Sequence, residues 1–84
     1  EPRLLISVGN IYYIYMKDIP SAQEWYQKVV LNMPEFPYGY YWLARTYQDQ
    51  GNPRKAAEYY RLALEKNPDW PEVQKLLSLV EDAQ

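Results

Sequence analysis

The chain has 84 residues, close to the size at which one hydrophobic core is barely enough for an independent domain. Nine basic and eleven acidic residues leave a net charge of −2, so no basic stripe exists to neutralise phosphates, which argues against nucleic-acid binding. Without cysteine or histidine there is no disulfide framework, thiolate nucleophile or thiolate metal site, and the commonest general base is missing. Ten of the fourteen aromatic residues are tyrosine, a ring with a polar tip that suits cores reaching the surface and interfaces.

The first predicted element is a helix over 3–16, where Leu5, Val8 and Tyr12 follow a 3–4 spacing. Leu4, Leu5, Ile6, Val8, Ile11, Tyr12, Tyr13, Ile14, Tyr15 and Met16 make it apolar around nearly its whole circumference. A helix hydrophobic on all sides is normally buried on all sides. The stretch is nevertheless too short, and too interrupted by Ser7, Gly9 and Asn10, to cross a bilayer. It also lacks the basic flank and cleavage site of a signal peptide. Because the chain opens on Glu1 rather than Met, we expect a processed chain or an excerpt.

A second helix is expected over 19–32, with Asp18 as its cap. No glycine precedes Asp18, so Lys17 or Met16 must turn the chain there. The third helix, 37–50, carries Tyr40, Leu43 and Tyr47 on one face. Gly51 suits a left-handed stop, and Asn52-Pro53 starts a fourth helix over 53–66 with a side-chain cap and a proline at the first helical position. Ala56, Tyr60, Ala63 and Leu64 continue the helical period, and a fifth helix is expected over 71–82.

The phrases PEFP at 34–37 and PDWP at 68–71 punctuate this series. Pro34 and Pro68 push the residue before them out of helical geometry, whereas Pro37 and Pro71 open the next helix at no hydrogen-bond cost. Asp69 is expected to cap the fifth helix with Glu72 as reciprocal partner, and Phe36 and Trp70 to seal each corner against the helix before it.

These phrases belong to a longer echo. At an offset of 34, Asp18 returns as Asn52, Ala22 as Ala56, Tyr26 as Tyr60 and Val29 as Ala63. Upstream the offset is 35, pairing Leu5 with Tyr40, Val8 with Leu43, Gly9 with Ala44 and Tyr12 with Tyr47. One extra residue therefore lies between Tyr12 and Asp18, and we place it in the turn around 16–17. A period of this length is the mark of a solenoid.

Tyr40-x2-Leu43-Ala44-x2-Tyr47, Ala56-x3-Tyr60, Ala63 and Pro68 closely resemble the tetratricopeptide (TPR) repeat. Leu5-x2-Val8-Gly9-x2-Tyr12, Ala22-x3-Tyr26, Val29 and Pro34 are similar to it, departing by the insertion and the missing turn glycine. The resemblance covers essentially the whole chain. It implies an all-α fold, an α-solenoid of antiparallel helix hairpins with about five helices, divided into repeat 1 (2–36), repeat 2 (37–70) and a capping helix (71–84). Glu81 stands where that cap departs from the repeat, a carboxylate in place of a core tyrosine, as the polar outer face of a terminal unit requires.

The resemblance also implies a non-catalytic scaffold that binds a protein or peptide partner on the concave side, along the first helix of each unit. That assigns Ile6, Asn10, Tyr13 and Ile14 to the groove, with Tyr38, Tyr41, Arg45, Gln48 and Asp49 from the third helix and Glu72, Lys75 and Leu79 from the cap. Asn10, Tyr13, Tyr38, Tyr41, Arg45, Gln48 and Lys75 are the candidate peptide-binding residues. The chaperone-tail clamp of this family is not supported. Asn10 matches one of its positions, but Ile6, Trp42, Glu72 and Leu76 occupy the other four.

The residues offer no catalytic constellation: Ser7, Ser21 and Ser78 have no histidine partner, and Asp18, Asp49, Glu58 and Glu65 are spaced as caps and solvated faces. No cofactor or metal is expected. The alternative to peptide binding is an assembly role. Leu4, Ile11, Ile14 and Tyr15 on the all-apolar first helix are candidates for self-association in a two-fold homodimer.

Small residues recur where helices must cross closely, at Gly9, Ala22, Ala44 and Ala56. Ala56→Leu is expected to overpack its hairpin and cost about 1–3 kcal/mol. Thermal unfolding checks this, and an unchanged melting temperature would rule out the close contact.

Overall fold

The computed structural model describes residues 1–84. It contains α1 (Pro2–Asn10), which runs directly into a π-helical turn (Ile11–Tyr15), then α2 (Ile19–Asn32), α3 (Pro37–Asp49), α4 (Pro53–Lys66) and α5 (Pro71–Ala83). Each helix packs on its neighbour in sequence, so the architecture is a row of hairpins. No helix is long and apolar enough to cross a membrane.

Local sequence accounts for the boundaries. Every α-helix has a proline in its first turn, where the absent N–H was unpaired in any case. Asp18 and Asn52 cap α2 and α4 by accepting from the backbone N–H of Ser21 and Lys55, both at 3.2 Å. The expected Asp69 cap does not form. Trp70 holds the cap position of α5 without a side-chain hydrogen bond, and Glu72 turns to α3 instead. Trp70 likewise seals a different corner from the one expected: its ring stacks on Tyr41 of α3, 5.3 Å between centroids, and meets Tyr38 edge-on at 4.9 Å.

The extra residue of the first hairpin is absorbed one turn earlier than expected. It widens the end of α1 into the π turn, where the Met16 N–H bonds back to the Ile11 carbonyl, five residues away. The two hairpins then close in parallel fashion. The Asp18 N–H reaches the Tyr12 carbonyl at 2.8 Å, and its counterpart Asn52 N–H reaches the Tyr47 carbonyl at 3.0 Å. Gly51 takes φ +76° in the second turn, and Lys17 takes φ +58° in the first. The insertion therefore does not spare the first turn its left-handed residue, and a side chain there costs about 1–2 kcal/mol.

The interior consists of two adjoining cores. Ile6, Tyr13, Ala22, Tyr26, Val29 and Leu43 form one; Tyr40, Tyr41, Ala44, Ala56, Ala57, Tyr60, Ala63, Val73 and Val80 form the other. Val30, Trp42, Tyr47 and Tyr59 touch both and weld them together. Tyr26 and Tyr60, equivalent in the echo, are fully buried, each burial contributing roughly 1.5–3 kcal/mol. Leu77 and Ser78 are more exposed than their counterparts Leu43 and Ala44, because only α4 lies beneath them. Glu81 is exposed and pairs with Arg61 of α4 at 2.9 Å, tying the last helix down by its rim.

Gly9 is the tightest crossing. A Cβ built there would lie 2.4 Å from Cε1 of Tyr26, and one at Gly39 would lie 2.8 Å from Cγ1 of Val30. Alanine at position 9 would gain about 1 kcal/mol of helix propensity but would collide with a ring that has no room to retreat. Gly9→Ala is expected to lower the melting temperature by several degrees, a net loss of about 1–2 kcal/mol. A melting temperature at or above that of the parent would mean that the ring yields.

Candidate binding groove

The face shared by α1, the π turn, α3 and the start of α5 carries most of the candidate residues. Tyr13 points inward from the π turn and is buried. Its hydroxyl donates to Oδ2 of Asp49 and lies 3.3 Å from the Arg45 carbonyl. Its ring meets Trp42 edge-on, 6.1 Å between centroids. Trp42 in turn stacks on Tyr26 at 6.0 Å and stands edge-on to Tyr41 at 5.1 Å.

Arg45 joins the next step of the network. Its Nη1 donates to the Tyr41 hydroxyl at 2.7 Å, and that hydroxyl donates to Oε2 of Glu72 at 2.9 Å, linking α3 to α5. The guanidinium carbon lies 5.7 Å from the Tyr41 ring centre and 5.9 Å from that of Trp42, within cation–π range. No carboxylate lies within salt-bridge distance of Arg45 or Lys17.

Two hollows open on this part of the molecule. One, of about 290 Å³, is lined by Tyr13, Ile14, Lys17, Ile19, Trp42, Arg45 and Asp49. The other, about 370 Å³, lies near the start of α1 and is lined by Arg3, Ile6, Ser7, Phe36 and Tyr38. Each is the size of one or two side chains, at or below the small end of ligand pockets.

The candidate residues divide into two kinds. Tyr13 and Tyr41 are buried and form the floor. Asn10 accepts the hydroxyl of Tyr26, and Gln48 accepts that of Tyr60 at 2.6 Å, so both amides serve core tyrosines. Tyr38 is 46% exposed and Lys75 is exposed on α5. Trp42, Lys17 and Ile19 line the first hollow but were not among the residues expected there. In the sequence Trp42 stands out only as a mismatch to the clamp. Lys17 enters the sequence pattern only as a turn residue and Ile19 only as the start of the second helix, and the fold brings both to the hollow.

Consecutive helix hairpins, each with its own small core, define an α-helical repeat protein. Residues 37–70, α3 and α4 with their flanking joints, match the family model of the tetratricopeptide repeat, so the chain carries a TPR repeat within an all-α, TPR-like solenoid. Repeats of this kind mediate protein–protein interaction, typically as non-enzymatic scaffolds. None of the curated proteins matches the chain.

Five tyrosines hold their protons more tightly than an exposed phenol. Burial raises the pKa of Tyr26, Tyr59 and Tyr60; Tyr13 and Tyr41 are raised by burial first and then by donating to Asp49 and Glu72. A phenol whose folded pKa exceeds its unfolded value of 10.0 stabilises the fold fully below that pH. That contribution is lost as pH rises above 10.0, because the unfolded chain releases protons that the folded chain keeps. Thermal stability is therefore expected to fall steeply above pH 10, with tyrosinate absorbance appearing together with loss of helical circular dichroism. Complete ionisation in a still-helical protein would refute the assignment.

Proposed function

We propose that this chain is an interaction scaffold of two TPR units, 2–36 and 37–70, closed by the helix 71–84, and that it holds a partner peptide or helix in the groove between α1, α3 and α5. The observation that carries this reading is the pair of hollows, one lined by Trp42 and Arg45 and the other by Ile6 and Tyr38, with Arg45 over the Tyr41 and Trp42 rings and no carboxylate paired to it. A shallow groove with a rigid aromatic base and one guanidinium has the anchors that interfaces favour. The floor residues Tyr13 and Tyr41 supply shape, while Tyr38, Arg45 and Lys75 supply contact. Asn10 and Gln48 act through the tyrosines they hold.

A second reading rests on a separate observation. Leu4, Ile11, Ile14, Tyr15 and Met16 are all exposed, Leu4 at 66% and Tyr15 at 80%. So many large apolar side chains on one short helix favour self-association through that face. The two activities share Ile14, which lines the first hollow, and otherwise use different residues.

A random peptide library displayed on phage separates them. The parent is expected to enrich binding peptides, Arg45→Glu to lose them by at least about tenfold, and Ile11→Asp to keep them. Light scattering across a dilution series reads the second activity. Ile11→Asp is expected to shift any dimer to monomer, while Arg45→Glu leaves the oligomeric state unchanged. A folded parent that enriches no peptide would refute groove binding, and a parent that is monomeric throughout would refute self-association.

A further inference from the structure

The hollow at the π turn has a composition more specific than peptide binding in general requires. Four of its seven lining residues, Tyr13, Ile14, Lys17 and Ile19, come from the widened turn and the two residues around the Asp18 cap. Trp42, Arg45 and Asp49 come from α3. Its walls are apolar, made by two aromatic rings and two isoleucines, and its polar groups are two cations and one carboxylate. The charges are not matched within the chain. Asp49 accepts the hydroxyl of Tyr13, whereas Arg45 donates only to the neutral hydroxyl of Tyr41, and Lys17 has no carboxylate within 4.0 Å. Two cations against one carboxylate leave one net positive charge beside an apolar cup.

Arg45 is the stronger of the two cationic groups. A guanidinium has five N–H donors, and at Arg45 one hydrogen bond, to Tyr41, is made. The Arg45 guanidinium lies within cation–π range of the Tyr41 and Trp42 rings, which restrains it and lowers the entropy lost when a planar anion docks. Its surroundings favour a bidentate carboxylate over a point charge.

We infer that this hollow is an anchor site for a bulky aliphatic side chain carrying a carboxylate beside it, the side chain entering between Ile14, Ile19 and Trp42 and the carboxylate resting on Arg45 with Lys17 at the rim. The inference rests on the groove-binding reading and assigns the chemistry of its partner. The carboxylate is either that of a chain terminus or that of an adjoining acidic residue. The one-residue insertion builds the site, since it brings Ile14, Lys17 and Ile19 to the same wall. The second hairpin closes with Gly51 where the first has Lys17 and has no π turn.

Small probes test this on the whole 84-residue chain, isotope-labelled and followed by NMR at the Trp42 indole N–H and the Ile14 and Lys17 amides. N-acetyl-leucine presents the side chain with a terminal carboxylate, blocked leucyl-aspartate presents it with a side-chain carboxylate, and N-acetyl-leucine amide presents it with none. At least one of the acids is expected to shift these resonances at a concentration at least about tenfold lower than the amide. Which acid does so identifies the source. Arg45→Gln is expected to erase the preference for acid over amide, Lys17→Gln to weaken it, and Asp49→Asn to strengthen it by removing the opposing charge. Deletion of Ile14, which restores the register of the second hairpin, is expected to abolish the response in a chain that stays helical. Should that deletion fail to fold, the three charge variants carry the test.

Equal responses to acid and amide, or a preference that survives Arg45→Gln, would overturn the inference. Library-selected peptides that bind the parent while leaving these three resonances unmoved would overturn it and leave groove binding standing. Failure of every probe and every selected peptide on a helical parent would remove both.

Discussion

The ring of Tyr26 occupies the space that a side chain at position 9 would take, with Cε1 2.4 Å from where that Cβ would be. Much of the first hairpin follows from this contact. Because α1 has no side chain there, α2 comes close enough to bury Tyr26 completely and to bring its hydroxyl to Asn10. The ring is then fixed in position and offers a flat surface to Trp42, which stacks on it with 22° between planes. Trp42 belongs to α3, so a glycine in the first helix sets where the second hairpin meets the first. Neither hairpin has a core large enough to stand apart, and the side chains that touch both cores are what make two small cores one.

The tyrosine content has a second consequence, in the polar bookkeeping of the interior. All five buried tyrosines, Tyr13, Tyr26, Tyr40, Tyr41 and Tyr60, deliver their hydroxyls to an acceptor: Asp49, Asn10, the Pro34 carbonyl, Glu72 and Gln48. No buried side-chain polar atom is left without a partner. Four of those five acceptors are side chains on α1, α3 and α5, so the edge of the proposed groove is held in place by the core beneath it. A surface organised in this way loses little freedom when a partner arrives, which is how preorganisation raises affinity.

Helix positions were legible because their signals are local. A proline in each first turn and the side-chain caps at Asp18 and Asn52 act within a few residues, and the observed helices match the expected ranges to within a few residues. The small positions Gly9, Ala22, Ala44 and Ala56 were legible because the echo repeats them, and all are buried. What escaped was decided by tertiary geometry. The insertion could be counted but not placed, since a π turn and a longer loop satisfy the same register. Asp69 and Glu72 fit a capping pattern, yet the Tyr41 hydroxyl 31 positions away offered Glu72 a partner that sequence spacing cannot show. Which tyrosines face the groove and which lie beneath it depends on the same long-range packing.

The π turn also bears on how the two hairpins came to differ. Their closing bonds are equivalent, Asp18 to Tyr12 and Asn52 to Tyr47, so the insertion changed the wall of the first hairpin without altering its closure. Glycine at position 17 would remove about 1–2 kcal/mol of left-handed strain, as Gly51 does in the other turn. It would also remove the only cation of the first hairpin that lines the hollow, leaving Arg45 alone opposite Asp49. A turn selected for stability alone would carry the glycine. Lysine in a conformation that disfavours it, beside a guanidinium without an ion-pair partner, is the pattern expected where local strain is retained for a binding surface.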